Sequence, residues 1–425
     1  MAGRSGTVWF GDRRVGRLRE DADRELLFAY DPDWLAGDGF PVSVSLPLNR
    51  GDAWVDGGDF FGGLLPEGAT RTRIARRLGL DENDETGLLL AIGADCAGAL
   101  CILSDDAADE PAPSASTGPE PLDESALVSI LRSAGEYAAQ LTGEARRFSL
   151  AGAQDKLPVI VEGERLYLPD RHHPSTHILK FETVPRVCLA EYMGACMAAE
   201  CGLTVAMPEF RQLDGQPWLL VPRYDRVVGE SQSVRRLHQE DLMQALAEPA
   251  ILKYQRQGGP GLDRIARLLR EQVSQPARAI PALRDWQIVN VLIGNWDGHA
   301  KNLALLYREG SAVPELAPFY DLVSIEFLNQ SGRGEYSRDL ALAVGQAFTP
   351  EKIGLEDWQA FARDLGIPAR PLLKRVAELA DAMPARARRA REQFADAWGD
   401  HGVLDTLERV IAARSRWVLN TVRSK

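Results

Sequence analysis

The first hundred residues combine short alternating runs with longer amphipathic ones. TVWFGDRRVGRL and PVSVSLPL alternate apolar and polar residues with a period of two, which predicts β-strands. Two later stretches, around FFGGLLPEGATRTRIARRLGL and TGLLLAIG, repeat apolar residues at helical spacing. The pattern therefore indicates an α+β domain over residues 1–103.

A change of composition ends this domain. Residues 104–124, SDDAADEPAPSASTGPEPLDE, are acidic, rich in Pro, Ala and Ser, and without a period that could bury a face, so we expect a flexible linker. Beyond it, ESALVSILRSAGEY and VCLAEYMGACMAAECG have helical periods. Strand patterns surround the second helix: KLPVIVEG, RLYLP, HILKF, PEFRQLDG and PWLLVPRYDR. We therefore expect a mixed α/β lobe over residues 125–228.

Helical periods prevail in the remainder of the chain, residues 229–425. EDLMQALA, GLDRIARLLREQV and ALRDWQIVNVLIGN are typical of helices, and a strand pair in LALLYREGSAVPELAPFY interrupts them. A strand-rich region followed by a helix-rich one favours two lobes. The predicted fold class is thus α+β, with a mixed small lobe and a mostly helical large lobe behind an N-terminal α+β domain.

Composition limits the range of functions. The chain has 425 residues and a formal net charge of −12, which argues against a protein that binds nucleic acid over its whole surface. Its five cysteines are odd in number and show no metal-type spacing, as expected in a reducing cytoplasm. The start of the chain has no signal-like apolar core. Asp95 lies within the most apolar segment, GLLLAIGADCAGALCIL, and would cost about 3 kcal/mol at the centre of a membrane helix. We expect a cytoplasmic protein without a membrane partner.

The tail segment PARARRAREQFADAW concentrates four arginines: Arg386, Arg388, Arg389 and Arg391. Such a run is most often the solvated face of a helix. Contact with a DNA backbone or with a partner protein is the alternative.

The segment GNWDGHAKNLALLY supplies the first candidate chemistry. Asp297 precedes Asn302 by five residues, and a hairpin of LALLY and ELAPFY would return Asp321 to a position beside Asn302. Phosphoryl transfer needs an Asp carboxylate near the acceptor hydroxyl and oxygen ligands for Mg²⁺, and this arrangement could provide both. Alternatively, Asp297 caps a helix and Asp321 starts a turn.

A lysine on a strand is the second candidate. Lys180 in HILKF lies on the same strand face as Ile178, and Glu191 follows eleven residues later in a predicted helix. A strand Lys paired with a helix Glu can direct its ammonium group toward phosphates. A lysine on an exposed strand face is the simpler interpretation.

The segment SLAGAQDK precedes the same group of strands. Its small residues Ala151, Gly152 and Ala153 would let backbone N–H groups approach a phosphate, and Lys156 adds positive charge. It matches neither GxGxxG nor a P-loop, so taken alone it favours an ordinary tight turn. Zinc spacing and the GxSxG of hydrolases are missing from the sequence, which weakens those two functions.

Together these segments resemble one family. SLAGAQDK, THILKF, LVPRYDR, RLHQEDL, GGPG, GNWDGHAKN and PFYD occur in the order found in HipA-type serine/threonine kinases, the toxin halves of bacterial toxin–antitoxin pairs. VSVSLPL, FFGGLLPEG and IGADCAGAL resemble the N-terminal domain of the same family. The resemblance covers nearly the whole chain and implies a protein-kinase-like fold with ATP and Mg²⁺ as cofactors.

The resemblance also implies roles for individual residues. Asp297 matches the catalytic base, Asn302 and Asp321 the Mg²⁺ ligands, and Lys180 the lysine that contacts phosphate. Ser149 matches a serine that the kinase phosphorylates on itself, which is understood to expel the loop from the nucleotide site. Beside Lys180, Asn302 and Asp321, the implied ATP contacts are Ala151, Gly152, Ala153, Gln154, Asp155, Lys156, Pro222, Arg223, Tyr224, His299, Ala300, Lys301 and Tyr320. Pro222 departs from the acidic residue of the best-known member and offers a carbonyl but no N–H.

Partners follow from the resemblance as well. Members of the family phosphorylate glutamyl-tRNA synthetase or another translation-related protein, and a separate helix-turn-helix antitoxin, HipB, neutralises them and binds the operator DNA. An aminoacyl-tRNA synthetase is therefore the expected substrate. Two alternatives stay open: a small-molecule kinase of aminoglycoside-phosphotransferase type, and a catalytically silent protein that only strengthens its repressor on DNA.

Overall fold

The computed structural model describes residues 4–48, 51–105, 118–133, 156–170, 173–229, 233–332 and 335–423. The chain divides into two compact units. Unit 1 consists of Met1–Thr183, Arg211–Ala250 and Leu305–Pro314, and unit 2 of Val184–Phe210, Ile251–Ala304 and Glu315–Lys425.

Unit 1 begins with a five-stranded sheet in the order β4-β3-β2-β1-β5. Its strands are β1 (Ser5–Phe10), β2 (Arg13–Glu20), β3 (Leu26–Tyr30), β4 (Val55–Asp56) and β5 (Leu100–Ser104), and the accompanying helices are α1 (Pro32–Ala36), α2 (Gly58–Gly62), α3 (Gly68–Leu78) and α4 (Glu85–Ile92). The strands pair antiparallel. One apolar core joins sheet and helices, with Phe28, Phe61 and Leu89 fully buried at its centre.

The segment PVSVSLPL is not the strand that its alternation predicts. It forms a tight turn in which Leu46 N–H donates to Ser43 O, with a single bridge between these two residues. Ser43 Oγ and Val44 N donate to the carboxylate of Glu240 instead of to a neighbouring strand. Serine side chains that find such partners compete with a sheet ladder, and the prolines of the segment have no N–H to donate to one.

A second sheet, which belongs to unit 1 except for Glu209 and Phe210 of β10, has the strand order β10-β11-β9-β7-β8-β6. Its strands are β6 (Glu120–Leu122), β7 (Lys156–Glu162), β8 (Arg165–Leu168), β9 (His177–Phe181), β10 (Glu209–Leu213) and β11 (Gln216–Pro222), and helix α5 (Glu124–Arg132) belongs to the same region. Leu157, Leu179 and Phe181 are fully buried in its core. Strands β12 (Arg226–Val228), β13 (Val234–Arg236) and β14 (His238–Asp241) follow, with the short helix α7 (Leu242–Ala245).

Unit 2 is mostly helical. Its helices are α6 (Val187–Glu200), α8 (Leu262–Gln272), α9 (Pro276–Ile293), α10 (Ile325–Ser331), α11 (Leu355–Asp364), α12 (Ala369–Trp398) and α13 (Leu404–Arg423). Strand β15 (Ala304–Tyr307) begins in unit 2 and ends in unit 1, and β16 (Glu315–Leu316) follows it. Ala317 N donates to Ala304 O at 2.8 Å, so the chain returns as the predicted hairpin. None of the described helices has the length and apolar character needed to cross a membrane.

The arginines of α12 bind groups within unit 2. Arg386 donates to Cys201 Sγ at 3.1 Å, Arg389 to Glu200 at 2.8 Å, and Arg391 forms ion pairs with Asp400 and Asp405. These contacts favour the structural interpretation of the basic run, because three of its four charges already have acceptors in the fold.

Glu240 in β14 carries a prediction about stability. It is 1 % exposed and accepts hydrogen bonds from Ser43, Val44 and Tyr307, and burial raises its pKa to about 7 from 4.5. The folded chain therefore keeps a proton that the unfolded chain releases, so this contribution is complete below about pH 4.5 and is lost as the pH rises through 7. We expect the free energy of unfolding of wild type, relative to Glu240→Gln, to fall by about 3 kcal/mol across this range.

Denaturant unfolding of both proteins at several pH values would measure the difference. The exposed Glu164→Gln variant in the same unit is the matched control, because its side chain is not buried. Parallel pH profiles for wild type and Glu240→Gln would contradict the raised pKa.

Candidate active site

Helix α9 ends where the candidate catalytic segment begins. Its last turns are buried and mostly apolar, and Gly294 ends the helix with a left-handed backbone at φ +72°. Glycine adopts that conformation without the steric cost that a Cβ would impose, and a Cβ here would lie 2.5 Å from the Cβ of Glu326. The chain therefore leaves the helix sharply and carries Asn295, Trp296 and Asp297 in sequence.

The carboxylate of Asp297 is held by a phenol. Tyr254 OH donates to Asp297 Oδ1 at 2.8 Å, and the Tyr254 ring contacts the ring of His299 edge-on at 5.5 Å between centroids. The backbone N–H of Asp297 donates to Asn295 Oδ1 at 3.2 Å. Both the side chain and the backbone of Asp297 are thus oriented by neighbours in unit 2.

Asn302 closes the one-turn 3₁₀ helix Ala300–Asn302. Its Oδ1 accepts from His299 N at 3.0 Å, and its Nδ2 donates to Asp321 Oδ2 at 3.3 Å. The side chain is only 7 % exposed, so its amide is fixed in this orientation. The structure thereby brings Asn302 and Asp321 together, as the hairpin spacing predicts.

Asn295 links the two acids. Its Oδ1 accepts from Asp297 N, and its Nδ2 donates to the backbone oxygen of Asp321 at 3.4 Å and to Asn290 Oδ1 at 3.0 Å. Tyr320 OH donates to Lys301 O at 2.7 Å and adds a second tie between the same two segments. The backbones of Asp297 and Asp321 therefore both bind the side-chain amide of Asn295.

Asp321 has a left-handed backbone, with φ +54°. A residue other than glycine adopts this backbone conformation at a cost of order 1–2 kcal/mol, so the surrounding contacts must hold Asp321 there. Val323 N donates to Asp321 O at 3.1 Å, which also makes Asp321 the start of a tight turn, as the alternative interpretation expected. The turn and the contact with Asn302 coexist.

Two lysines face one another in unit 1. Lys156 of β7 is directly opposite Lys180 of β9 in the antiparallel register, so both side chains project from the same face of the sheet. Lys180 is 5 % exposed and Lys156 half-buried. The shared face is compatible with one anion in contact with both ammonium groups, and phosphate binding by the two lysines stays a prediction.

The segment Pro222–Tyr224 ends β11 beside the start of β9. Pro222 is paired with His177, and Arg223 N donates to Thr176 O at 2.9 Å. The Arg223 side chain is 5 % exposed and binds two buried aspartates. Its guanidinium group is therefore occupied by these ion pairs, and only the backbone of Arg223 remains as a candidate nucleotide contact.

Other predicted positions lie elsewhere. Glu191 is buried in α6 of unit 2, whereas Lys180 belongs to unit 1, and their pairing stays a prediction. Ser149 and the segment 151–155 lie outside the described residues.

The Asn302 and Asp321 side chains fit a divalent cation. Carboxylate and amide oxygens are hard ligands of the kind Mg²⁺ uses, and Mg²⁺ is commonly held by one or two such groups together with substrate phosphates. Asn302 Oδ1 accepts one hydrogen bond from His299 N, and an amide oxygen has two lone pairs. Among the described residues, no cluster of three or more His, Cys, Asp or Glu side chains forms a separate metal site.

Two residues of the site were missed by sequence reasoning. Asn295 lies in the quoted segment GNWDGHAKN, two positions before Asp297, and a polar residue directly after a buried helix could have indicated it. Tyr254 lies in LKYQRQGGPG, a stretch without a period, and nothing in the sequence points to its contact with Asp297.

Comparison with family models identifies both parts of the chain. Residues 6–103 match the HipA N-terminal domain, and residues 148–387 match the HipA-like C-terminal domain. The second match alone includes more than half of the chain.

Full-length relatives agree with these matches. A Sinorhizobium fredii protein named as a kinase, Y4mE, is 34 % identical over 417 residues, which is 97 % of each chain. The serine/threonine-protein kinase toxin HipA of Shewanella oneidensis is 28 % identical over 393 residues, covering 88 % of this chain and 86 % of that one.

A solved structure extends the similarity to three dimensions. The Shewanella oneidensis HipA, determined in complex with HipB and its operator DNA, superposes with a TM-score of 0.82 at 25 % identity and covers 98 % of each chain. This similarity confirms the predicted α+β, kinase-like fold class.

Proposed function

Because this chain belongs to the HipA family of serine/threonine-protein kinase toxins, we propose that it transfers the γ-phosphoryl group of ATP to a hydroxyl of a translation-related protein. Glutamyl-tRNA synthetase is the expected substrate. The observation that carries the proposal is the convergence of Asn302 and Asp321, which Asn295 links to Asp297. An acid and a two-ligand metal site in one place are what phosphoryl transfer requires.

Asp297 is proposed to act on the acceptor hydroxyl. The Tyr254 hydroxyl fixes Asp297 Oδ1, which orients the carboxylate toward the acceptor and allows it to take the proton. Positioned bases of this kind contribute about 10²–10⁴-fold to a rate. Asn295 supports the base from the backbone side, because it accepts the Asp297 N–H.

The phosphates are proposed to lie against cations from several elements. Lys156 and Lys180 share one face of the sheet, and the small residues Ala151–Asp155 would add backbone N–H groups. Mg²⁺, when bound by Asn302 and Asp321, would neutralise charge on the phosphate oxygens. Within unit 2, His299 N donates to Asn302 Oδ1 and Tyr320 OH donates to Lys301 O, and both contacts fix the segment that carries Asn302.

Adenine is proposed to meet the backbone of Pro222, Arg223 and Tyr224. Pro222 has no N–H, and the N–H of Arg223 is already donated to Thr176 O. We therefore assign the Pro222 carbonyl as the hydrogen-bond acceptor for adenine. The Arg223 side chain takes no part in this contact, because it is buried away from it.

Regulation and partners are proposed from the family. Ser149 precedes the phosphate loop, and phosphate on it would place a charge of nearly −2 beside the site that receives ATP phosphates. The related HipA was solved with HipB and operator DNA. We accordingly expect a separate HipB-like helix-turn-helix antitoxin as partner, with operator DNA bound through it, in the cytoplasm.

Incubation with radiolabelled ATP and Mg²⁺ tests the proposal. We expect wild type to incorporate one phosphate at Ser149, identified by mass spectrometry, and Asp321→Asn to incorporate about 10²-fold less because Mg²⁺ loses its charged ligand. Ser149→Ala is the control for site assignment and should retain Mg²⁺-ATP binding.

Other outcomes would distinguish the alternatives. Phosphorylation of aminoglycosides without any on Ser149 or on a protein would favour a small-molecule kinase. Failure of wild type to bind Mg²⁺-ATP in a calorimeter would favour a silent co-repressor. Wild-type incorporation by Asp321→Asn would contradict the assigned metal site.

A further inference from the structure

A buried ion cluster in unit 1 adjoins the segment assigned to adenine and shares Arg223 with it. We define it as Asp95, Ser175, Arg223, Asp225 and Arg226, each between 0 % and 7 % exposed. Buried charges of this density are rare in proteins unless each finds partners, because desolvation of an unpaired ion is costly. Their contacts therefore indicate what the cluster holds together.

Arg223 is the centre of the cluster. Its Nε and Nη2 donate to the two carboxylate oxygens of Asp225 at 3.0 and 2.8 Å, a two-point contact that fixes the guanidinium plane. Nη1 donates to Ser175 Oγ at 2.8 Å, and Nη2 also donates to Cys96 O at 2.8 Å. A single side chain thus touches three separate segments.

Asp95 and Arg226 complete the connection. Ser175 Oγ donates to Asp95 Oδ2 at 2.6 Å, and Arg226 Nη2 donates to Asp95 Oδ1 at 2.8 Å. Arg226 also reaches backbone oxygens, with Nη1 donating to Gly98 O at 2.9 Å and Nε to Ser175 O at 3.1 Å. Gly98 N in turn donates to Asp225 Oδ2 at 2.7 Å.

The electrostatics agree with a permanently charged cluster. Although burial opposes ionisation, the neighbouring arginines Arg223 and Arg226 lower the pKa of Asp95 to about 2 and hold the pKa of Asp225 far below its usual range. Both carboxylates are therefore ionised at neutral pH, and each remains available as an acceptor for the arginines.

The three connected segments have different tasks. Asp95 and Gly98 belong to the part that matches the HipA N-terminal domain. Ser175 lies two residues before β9, the strand of Lys180. Arg223 directly follows β11 and belongs to the segment assigned to adenine, and Asp225 and Arg226 come directly after that segment. The neighbour of Ser175, Thr176, accepts the Arg223 N–H at 2.9 Å. Both nucleotide-contacting segments are thus tied to one point of the N-terminal domain.

We propose that the buried ion cluster positions the nucleotide-binding segments, so that the N-terminal domain sets the affinity for ATP. This role rests on the proposed function, since it assumes that Lys180 and Pro222–Tyr224 contact ATP. The residues of the cluster are positioning residues: Arg223, Asp95 and Ser175 act through the backbone of the segments that they connect. The N-terminal domain would accordingly be a working part of the kinase and not only a surface for partners.

The affinity for ATP depends on the fraction of molecules whose Pro222–Tyr224 segment has the binding-competent conformation. If loss of a cluster contact lets Pro222–Tyr224 adopt other conformations, ATP binds only the competent fraction, and the measured Kd rises by the inverse of that fraction. Asp297, which is assigned to the chemical step, belongs to unit 2, whereas the cluster belongs to unit 1. The proposed positioning role therefore concerns ATP binding and not the chemical step. The expected signature is therefore a raised Kd and KM for ATP with little change in kcat.

Ser175→Ala tests this on the full chain. The variant removes one hydroxyl that joins Asp95 to Arg223 and leaves every charge in place. We expect calorimetry to give a Kd for Mg²⁺-ATP raised about 3- to 10-fold, or about 0.7–1.4 kcal/mol. The KM for ATP in autophosphorylation should rise in parallel, while kcat stays within about twofold.

Arg223→Lys is the second variant, and Tyr30→Phe is the matched control. Lysine keeps the charge but lacks the planar guanidinium group that binds two acceptors at once. The Kd for Mg²⁺-ATP should therefore rise at least as much as in Ser175→Ala. Tyr30 is a buried tyrosine of unit 1 whose hydroxyl binds Leu46 O and Val42 N, away from the cluster, so Tyr30→Phe should lower Tm without changing Kd.

The outcomes separate the two levels of interpretation. If wild type binds Mg²⁺-ATP and both cluster variants stay within twofold of its Kd, the positioning role is wrong although the proposed function stands. If Ser175→Ala does not fold, Arg223→Lys alone is judged by the same criterion. No Mg²⁺-ATP binding by wild type would overturn the proposed function and this role together.

Discussion

Replacement of Asp297 by Asn is expected to slow phosphoryl transfer by about 10²- to 10⁴-fold while Mg²⁺-ATP still binds. The Asn side chain has the same shape and can still accept the Tyr254 hydroxyl at Oδ1, so the local geometry should persist. It cannot accept a proton from a substrate hydroxyl, and the catalytic contribution of the base is lost. Single-turnover phosphorylation of Ser149, with calorimetric ATP binding in parallel, would separate the two effects.

Two further variants make this expectation specific. Tyr254→Phe removes the hydrogen bond to Asp297 but leaves the carboxylate, so it should lower the rate of phosphoryl transfer by about tenfold or less. Asp263→Asn removes an exposed acid from α8 of the same unit and should leave the rate unchanged. A rate for Asp297→Asn within twofold of wild type would remove Asp297 from the mechanism.

The sequence was sufficient wherever the relevant contacts are local in the chain. Hydrophobic periodicity predicts helix α9 and strands β7, β9 and β11, because a buried face repeats at a fixed spacing. The hairpin after Asn302 has the same origin. Short connections fix where Asp321 returns, so the proximity of Asn302 and Asp321 could be predicted before any coordinates.

Contacts between distant segments could not be predicted in this way. Arg223 lies in a segment assigned to adenine, yet its side chain binds Cys96 O, 127 positions away. Tyr254 reaches Asp297 over 43 positions. PVSVSLPL alternates like a strand, but its Ser43 hydroxyl donates a hydrogen bond to Glu240, almost two hundred residues later. Periodicity reports which face is buried and carries no information on the polar partner that a buried group will find.

The left-handed backbone of Asp321 is another such feature, and its support comes from helix α6. A Cβ on Gly194 would lie 1.8 Å from the carbonyl oxygen of Leu322, the residue after Asp321. The absence of a side chain at Gly194 therefore lets this backbone lie directly against α6. Together with the Asn295 hydrogen bond to Asp321 O, this contact holds the predicted metal ligand in its unusual conformation.

Gly194→Ala is accordingly expected to damage both stability and catalysis. In a helix interior Ala is favoured over Gly by about 1 kcal/mol, yet overpacking against backbone costs about 1–3 kcal/mol and here involves a carbonyl that cannot rotate away. We expect a net loss of unfolding free energy in denaturant titrations. Displacement of Asp321 by about 1 Å would also reduce phosphorylation by about 10²-fold.

The exposed Ala199 of the same helix provides the matched comparison. Ala199→Gly should destabilise α6 by about 1 kcal/mol through helix propensity alone and leave the rate of phosphorylation and its Mg²⁺ dependence unchanged. A helix that merely becomes less stable would thus be distinguishable from one that displaces Asp321. If Gly194→Ala proved as stable and as active as wild type, the close approach of Leu322 to α6 could not be what maintains the Asp321 backbone, and Asn295 would have to hold it alone.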